Sequence, residues 1–308
     1  MKIVITGPTG AIGVALIQKC IQNQISVLAI CHPGSARIKN IPESRLVKVI
    51  EADLGEFDQL AVEQNERYEV FYHLGWKGTT GEARNEMPLQ VDNIRYTLAA
   101  VRLAERLGCH TFVGAGSQAE YGRVEGILRP DTPVFPETGY GMAKLCAGQM
   151  SRYICEKSGI KHIWARILSV YGPCDGVNSM ISTSVRNMIE GKRTDYTPAE
   201  QRWDYLYSAD AAEALYLLGL RGKSGKVYIV GRGESRALRS YILEMAEIVE
   251  KVCSVKVSLG IGALPYQEKQ VMHLEADITE LNRDTGFTPR TTFEEGIREI
   301  LRKEGCGQ

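Results

Sequence analysis

The sequence has no excess of charge of either sign, because 37 lysine and arginine residues balance 37 aspartate and glutamate residues over 308 positions. Binding to nucleic acid or to an anionic membrane requires a basic excess on some face, so the composition supports neither. No apolar run approaches the ~18 residues that span a bilayer. Met1 and Lys2 lead directly into a predicted strand without a signal-peptide pattern. We therefore expect a cytoplasmic protein with no membrane or nucleic-acid partner.

The eight cysteines form no C-x-x-C pair, and the five histidines do not cluster. In a cytosolic protein this pattern indicates reduced thiols that pack in the core, and we expect no disulfide framework and no bound metal. Internal repeats and low-complexity linkers are also lacking. A chain of this length with 44% hydrophobic and 24% charged residues predicts one large α/β unit or two closely joined domains.

Short β-branched runs alternate with longer amphipathic stretches, a pattern typical of βαβ units and a parallel sheet. The predicted strands are residues 2–6, 26–31, 46–50, 70–73, 111–115, 162–168, 205–207 and 226–230. The predicted helices are residues 11–23, 87–107, 140–158, 179–191, 209–220, 238–252 and 293–303. We therefore expect an α/β fold, with a Rossmann-type doubly wound parallel sheet over residues 1–170 and returning segments near 203–230. Residues 171–308 are predicted to form a smaller, interleaved substrate domain.

A glycine-rich turn follows the first predicted strand and opens the first helix. Its glycines, Gly7, Gly10 and Gly13, have the spacing G-x-x-G-x-x-G. The first two let the backbone approach a pyrophosphate, the helix N-terminus supplies N–H donors, and the third permits close packing of helix on strand. We predict a dinucleotide site here. Its contacts are Gly7, Thr9, Gly10, Ala11, Ile12 and Gly13.

The loop after the second predicted strand bears on the choice between NAD and NADP. An NAD enzyme usually places a carboxylate there to bind the ribose 2′-hydroxyl, but no Asp or Glu occurs in this loop before Glu43. His32, Ser35 and Arg37 supply donors and positive charge that suit a 2′-phosphate. The alternative is a solvated loop in which Arg37 contacts nothing. We predict NADP and keep NAD as the less favoured cofactor.

Two residue pairs at the ends of later strands are further predicted cofactor contacts. Asp53 and Leu54 follow the third strand, where Asp53 can reach an adenine edge. Leu74 and Gly75 follow the fourth strand, where small residues admit the cofactor. Each pair is also explained by an ordinary turn, so its position in the chain is what supports the prediction.

Tyr140 and Lys144 begin a predicted helix and share one face of it, because they are four residues apart. A free tyrosine has a pKa near ~10, and a neighbouring ammonium lowers that value toward the range useful for acid–base chemistry. Lys144 can also bind the nicotinamide ribose. Ser117, at the end of the fifth strand, supplies a hydroxyl for the alcohol or carbonyl oxygen of a substrate.

These motifs together resemble the extended short-chain dehydrogenase/reductase family, in the branch that acts on nucleotide sugars. The resemblance runs from residue 1 to about residue 300. It is carried by the three glycines, Asp53, His73-Leu74, Asn93, Ser117, Tyr121-Gly122, Tyr140, Lys144, Arg166 and Tyr171-Gly172-Pro173. The resemblance implies that Ser117, Tyr140 and Lys144 form a catalytic triad with Asn93 in support. It also implies a nicotinamide cofactor and, in many members, a homodimer formed through two helix pairs.

Nucleotide-sugar 4,6-dehydratases of this family need an extra carboxylate two residues before the tyrosine that corresponds to Tyr121. That position is Ala119, preceded by Gln118, and an alanine cannot abstract a proton. Glu120 lies one residue late and is expected to point elsewhere. A dehydratase is therefore disfavoured, and a keto-sugar reductase or a sugar 4-epimerase is left.

The substrate half departs from the family pattern. The arginine expected before Asp204-Tyr205 is Trp203, and a second expected arginine is Gln267. Arg202 and Lys269 lie one and two positions away and are predicted to replace them, since a diphosphate requires positive charge. Trp203 either stacks on a base or sugar or packs in the core. The predicted substrate contacts are Gln118, Asn178, Arg202, Trp203 and Lys269.

The sequence therefore predicts an oxidoreductase that reduces a keto group, at C4, of a nucleotide-activated deoxysugar. The predicted NADP favours the reductase, which uses NADPH once per turnover. The alternative within the family is a nucleotide-sugar 4-epimerase, which keeps NAD and returns the hydride to the other face. A non-catalytic NADP-sensing regulator on this fold is the alternative from another class, and retention of Ser117, Tyr140 and Lys144 together argues against it.

Overall fold

A computed structural model of the protein describes residues 1–61 and 66–306. The strands of the first half are β1 (Lys2–Thr6), β2 (Ser26–Cys31), β3 (Val47–Glu51), β4 (Val70–His73), β5 (Thr111–Ser117), β6 (Lys161–Ile167) and β7 (Ser169–Tyr171). Those of the second half are β8 (Thr194–Tyr196), β9 (Arg202–Trp203), β10 (Tyr205–Tyr207), β11 (Lys226–Val230), β12 (Arg236–Ala237), β13 (Leu259–Ile261) and β14 (His273–Leu274).

The helices lie close to the predicted positions, and most ends differ by one residue. They are α1 (Ala11–Gln22), α2 (Met87–Arg106), α3 (Gly139–Lys157), α4 (Met180–Ile189), α5 (Ser208–Arg221), α6 (Leu238–Cys253), α7 (Thr279–Thr285) and α8 (Phe293–Lys303). The seven-residue α7 was not predicted from the sequence, and neither were several of the two- and three-residue strands. Elements this short present too few turns or alternations to establish a period.

Seven strands form one parallel sheet in the order β11-β6-β5-β4-β1-β2-β3. Ile3, Val4 and Ile5 in β1 are fully buried, as the continuous apolar run of a strand covered on both faces requires. The chain reverses direction across the sheet between β1 and β4, and ligands of open α/β sheets bind at the carboxyl ends of strands beside such a switch point. The predicted Rossmann-type fold is confirmed.

A second hydrophobic core lies between α4, α6 and α8 and includes aromatic residues of β10. Tyr205, Tyr241 and Phe293 are buried there, with ring centroids 4.8–6.2 Å apart. Three smaller sheets of two or three strands adjoin this core. β11 leaves the second half to join the large sheet beside β6, so the two halves are interleaved.

Among residues 1–61 and 66–306, no helix has both the length and the apolar character needed to cross a membrane. Within the same residues, no group of three or more His, Cys, Asp or Glu side chains is arranged to hold a metal ion.

Candidate active site

The glycine turn between β1 and α1 packs closely against neighbouring backbone at Gly7 and Gly13 and faces open space at Gly10. Gly7 has a φ of +68°, and a Cβ atom there would lie 2.8 Å from the backbone nitrogen of Gly75. A Cβ atom on Gly13 would collide with the Gly7 carbonyl oxygen, whereas one on Gly10 would meet nothing within 4 Å. Within the described residues no side chain caps α1, and its first turn carries no acidic residue. Free N–H groups beside open space fit the pyrophosphate of a dinucleotide.

His32 and Asp53 meet beside this turn. The Nε2 atom of His32 lies 3.2 Å from Asp53 Oδ2, and the same carboxylate accepts hydrogen bonds from Gly55 N–H at 2.9 Å and Lys77 Nζ at 2.7 Å. Burial alone raises the pKa of Asp53, but Lys77 and the Gly55 N–H outweigh it and hold that pKa below its usual value. The carboxylate therefore stays ionised at neutral pH and holds His32 and Lys77 at the edge of the site.

The loop after β2 also receives a carboxylate that sequence reasoning missed. Glu51, the last residue of β3, accepts a hydrogen bond from Gly34 N–H at 2.8 Å. Arg37 turns away and donates to the Cys174 carbonyl, while its own N–H donates to Ser35 Oγ at 3.3 Å. The predicted basic residues are present in this loop, but a negative charge lies among them.

Asn93 fixes the backbone of Lys77 with two hydrogen bonds. Its Oδ1 accepts from Lys77 N–H at 2.9 Å and its Nδ2 donates to Lys77 O at 2.8 Å, and the side chain is buried. Leu54 and Gly75 are neighbours, since a Cβ atom on Gly75 would lie 3.0 Å from Leu54 Cδ2. The segment after β4, with Leu74 at its start, is thus fixed against both α2 and the turn that follows β3.

Ser117, Tyr140 and Lys144 come together at the carboxyl end of β5, as predicted from their spacing. Ser117 ends β5, and its hydroxyl lies close enough to Tyr140 to lower the pKa of that phenol. Tyr140 is the second residue of α3, a helix that Thr138 caps by accepting from Gly141 N–H at 3.1 Å. Lys144 Nζ lies 5.7 Å from the centre of the Tyr140 ring. Burial nevertheless dominates, and the pKa of Tyr140 is raised above its usual value.

Lys144 is buried next to Tyr140. Its ammonium donates to the Ala115 carbonyl at 2.6 Å and lies 3.8 Å from the centre of the Trp76 ring. Burial lowers the pKa of Lys144 to about 7, although the charge of Glu120 opposes that effect. Trp76 is held in turn by a hydrogen bond from its Nε1 to Gln90 Oε1 at 3.0 Å. Lysine, tryptophan and tyrosine thus form one packed cluster.

Glu120 points away from this cluster into the protein, as expected from its position. It is fully buried, and its carboxylate accepts from Ser117 N–H at 2.8 Å, Trp164 Nε1 at 3.0 Å and Arg166 Nε at 2.7 Å. A carboxylate with three donors and no exposure is unavailable as a base for a substrate proton. Glu120 instead fixes the backbone of Ser117.

Arg202 is paired with neighbouring groups, while about half of its side chain is exposed. Its guanidinium donates to the Ser235 carbonyl at 2.6 Å and lies 3.4 Å from a carboxylate oxygen of Glu275. Trp203, its neighbour in β9, is half-buried between two hydrophobic clusters, with its ring centre 6.5 Å from that of Tyr205. Its buried Nε1 has no hydrogen-bond partner among the described residues. The Trp203 ring therefore packs against both clusters, and stacking on a base or sugar stays a prediction.

The other predicted substrate residues are spread over separate segments. Gln118 is half-buried and starts the short 3-10 turn that follows Ser117. Asn178 is exposed just before α4, and Lys269 is exposed on a loop where its charge acts on Glu137. The structure brings Gln118 to the triad and leaves Asn178 and Lys269 as surface residues.

Three residues of the segment between β4 and α2 belong to the site and were not predicted: Trp76, Lys77 and Arg84. A signal was present, since this segment begins at the carboxyl end of a strand beside the switch point, where ligands bind. The side chains' directions depend on contacts with α3 and the turn after β3, which one sequence does not reveal.

Fold and site together define a Rossmann-type oxidoreductase that binds a nicotinamide dinucleotide. The profile of the NAD-dependent epimerase/dehydratase family matches residues 3–231. The chain belongs to this family, the extended branch of the short-chain dehydrogenases/reductases, and is an enzyme of that type. The resemblance inferred from its motifs is confirmed.

The relatives match nearly the whole chain, but at low sequence identity. The chain is 23% identical to a dTDP-glucose 4,6-dehydratase of Streptomyces niveus, covering 98% of the chain and 92% of the relative. It is also 23% identical to YtcB of Bacillus subtilis, described as an uncharacterized UDP-glucose epimerase, covering 96% of each.

Two solved 4-epimerases superpose over nearly the entire chain. A UDP-N-acetylglucosamine 4-epimerase from Methanobrevibacter ruminantium, in complex with UDP-N-acetylmuramic acid, gives a TM-score of 0.85 at 21% identity, covering 98% of this chain and 97% of that one. A UDP-glucose 4-epimerase from Thermotoga maritima, with UDP-glucose, gives 0.83 at 19% identity, covering 99% of both chains. At these identities the likeness establishes the fold.

Proposed function

We propose that the protein reduces a keto group, at C4, of a nucleotide-activated deoxysugar with NADPH. The observation that carries the proposal is the cluster of Ser117, Tyr140 and Lys144 with Ala119 beside it. This cluster holds what hydride transfer at a carbonyl needs and lacks the extra acid that a 4,6-dehydratase uses. The nucleotide-sugar ligands named for similar proteins agree with this substrate class.

Each of the three residues has one part in the reaction. The Ser117 hydroxyl binds the carbonyl oxygen, and the Tyr140 phenol, protonated at neutral pH because burial raises its pKa, donates the proton to that oxygen. Lys144 lies on the same helix face, and its positive charge stabilises the Tyr140 phenolate that forms when the proton has left. A nicotinamide cofactor would supply the hydride when bound. The turn formed by Gly7, Gly10 and its neighbours would hold the pyrophosphate.

A specific observation favours a second candidate, a 4-epimerase that keeps NAD. NADP was inferred from a loop without a carboxylate, and Glu51 reaches that loop at Gly34 N–H. A carboxylate suits a ribose 2′-hydroxyl and repels a 2′-phosphate. His32 and Arg37 belong to this loop and remain the support for NADP, although His32 pairs with Asp53 and Arg37 donates to the Cys174 carbonyl. The reductase stays our first proposal because the loop itself carries these two basic residues and no carboxylate.

One assay separates the two candidates. The purified protein is supplied with a nucleotide 4-keto-6-deoxysugar and NADPH or NADH, and separately with UDP- and dTDP-hexoses and NAD. The reductase consumes one reduced cofactor per sugar, favours NADPH and makes a 4-hydroxy product. The epimerase interconverts 4-hydroxy sugars with no net change at 340 nm. Loss of water from a hexose would contradict both proposals and the argument from Ala119.

Replacement of Tyr140 tests the assigned acid. The change Tyr140→Phe removes one hydroxyl and should lower kcat by at least ~100-fold, the scale of general-acid catalysis, with the dissociation constant of the cofactor nearly unchanged. Cofactor binding is measured by fluorescence titration. Turnover that survives this substitution would show that another group donates the proton.

Three further features of the molecule stay predictions. A cytoplasmic location agrees with the lack of a membrane-spanning helix among the described residues. A homodimer is supported by apolar side chains exposed on α2 and α3, namely Met87, Val91, Met142, Met150 and Tyr153. We also propose residues 1–170, with the returning β11, as the dinucleotide-binding domain and residues 171–308 as the substrate domain.

A further inference from the structure

Arg84 lies against the candidate acid and has no part in the function proposed above. It belongs to the short 3-10 segment Gly81–Asn85 that precedes α2. Its guanidinium carbon is 4.4 Å from the centre of the Tyr140 ring, and its Nη1 donates to the Thr79 carbonyl at 3.0 Å. The side chain is half-buried. Hydrogen bonding therefore anchors this cation at one end while it covers the face of the phenol ring.

The backbone around Arg84 is joined to the start of α3. Asn85 Oδ1 accepts from Gly139 N–H at 3.0 Å, and a Cβ atom on Gly139 would lie 3.2 Å from the Arg84 carbonyl oxygen. On another side, the Trp76 ring meets the Tyr140 ring edge-on, with centroids 6.0 Å apart at 81°. Tyr140 is thus held by a guanidinium and an indole that both come from the segment between β4 and α2.

Charged groups from three elements lie around Tyr140. Lys144, on its own helix, has its Nζ 5.7 Å from the ring centre, and Glu120 acts from beyond Ser117 while paired with Arg166. Arg84 acts from the segment before α2. Burial lowers the pKa of Lys144 to about 7, so the charge of that amine depends on pH near neutrality. A guanidinium stays charged throughout this range.

We propose that Arg84 is a positioning residue for Tyr140: its guanidinium holds the ring in place and supplies a permanent positive charge beside it. The effect of Arg84 on catalysis rests on the proposed function, in which Tyr140 is the acid. The contact between the two side chains does not depend on that function. Burial raises the pKa of Tyr140, and the charge of Arg84 is one of the two effects that oppose the rise, with the Ser117 hydroxyl.

Removal of the positive charge of Arg84 should shift the titration of Tyr140 in one direction, to higher pH. The Arg84→Met variant keeps a long side chain and loses the cation, so the phenolate becomes harder to form and the phenol titrates at higher pH. A unit charge about 5 Å away, partly screened by solvent at a half-buried site, changes the phenolate fraction about tenfold, which is about one pH unit. The Arg84→Lys variant keeps the charge without the planar stack and should shift by less.

The first measurement does not depend on turnover. Phenolate absorbance is titrated in the protein with oxidised cofactor bound, and Tyr140 is isolated by subtracting the curve of Tyr140→Phe in each background. The difference curve should move up by about one pH unit in Arg84→Met. The control is Arg95→Met, which removes an exposed arginine paired with Asp92 on α2 and should leave the curve in place. Equal midpoints in Arg84→Met and wild type would overturn the proposal.

The second measurement is the pH profile of kcat/KM for keto-sugar reduction. The limb at high pH, where Tyr140 loses its proton, should move up in Arg84→Met and return toward wild type in Arg84→Lys. A raised KM with an unmoved limb would make Arg84 a substrate contact and overturn the positioning role. A wild-type protein without turnover would instead contradict the proposed function, and the absorbance titration would still decide the role of Arg84. If Arg84→Met does not fold, the comparison of Arg84→Lys with wild type and Arg95→Met gives the same sign test.

Discussion

Substitution of Glu120 offers a sharp test of the structure, because the same ion pair occurs elsewhere at the surface. Glu120 and Arg166 form a pair at 2.7 Å with side chains 0% and 6% exposed. Arg123 and Glu137 form a pair of the same chemistry, also at 2.7 Å, with side chains 44% and 24% exposed. The two pairs differ chiefly in burial and in the additional hydrogen bonds that Glu120 accepts from Ser117 N–H and Trp164 Nε1. The matched changes Glu120→Gln and Glu137→Gln therefore measure the effect of this buried network.

In Glu120→Gln, the amide leaves the Arg166 guanidinium buried without a countercharge. It also turns an N–H group toward a donor, because both carboxylate oxygens accept hydrogen bonds. Loss of one partner of a buried pair costs about 3–5 kcal/mol of unfolding free energy. The surface change Glu137→Gln should cost at most about 1 kcal/mol.

Urea denaturation followed by tryptophan fluorescence measures both variants. At a slope of about 2–3 kcal/mol per molar urea, the midpoint of Glu120→Gln should fall by roughly 1–2 M relative to that of Glu137→Gln. Midpoints that differ by less than the equivalent of 1 kcal/mol would refute the account of this buried network. If activity disappeared while stability did not change, Glu120 would be a catalytic base after all.

Two other predictions concern stability. Because burial lowers the pKa of Lys144 to about 7, the unfolded chain binds more protons than the folded one between about pH 7 and pH 10. The stability of wild type relative to Lys144→Met should therefore rise with pH there, by up to about 1.4 kcal/mol per unit, and a pH-independent difference in urea midpoints would contradict this. In Gly148→Ala, the new Cβ would lie 2.6 Å from the Trp164 ring and should cost about 1–3 kcal/mol by calorimetry. Gly176→Ala, which meets nothing within 4 Å, is its control, and equal melting temperatures would contradict the packing argument.

The large sheet was predictable because its strands are short apolar runs between glycine turns. Such runs form buried strands regardless of which residues lie at the protein surface. β3 shows the limit, since residues 46–50 were predicted and the strand is Val47–Glu51. Its edge position leaves several side chains exposed, so the apolar signal that fixes a boundary is weak there. The triad was predictable for a related reason, because helix spacing puts Tyr140 and Lys144 on one face and strand order brings Ser117 to them.

The side-chain contacts of the segment between β4 and α2 could not be predicted from local patterns. Its side chains find partners on α3 and on the turn after β3, which are far away in the chain. Arg84 meets Tyr140 across 56 residues, and Lys77 meets Asp53 across 24. No local period determines such contacts, which form only when the whole chain has folded.

The loop after β2 receives a carboxylate from the neighbouring strand β3, which the order of residues along the chain does not reveal. The sequence shows no carboxylate in the loop that follows Cys31, and that absence favoured NADP. In the sheet, Cys31 pairs with Glu51 on the neighbouring strand, so the end of β3 delivers its carboxylate to the start of that loop. Residues far apart in the chain can therefore lie side by side at the sheet edge, and the charge of this loop depends on both strands. Cofactor preference in this family is therefore better argued from the ends of adjacent strands taken together than from the second strand alone.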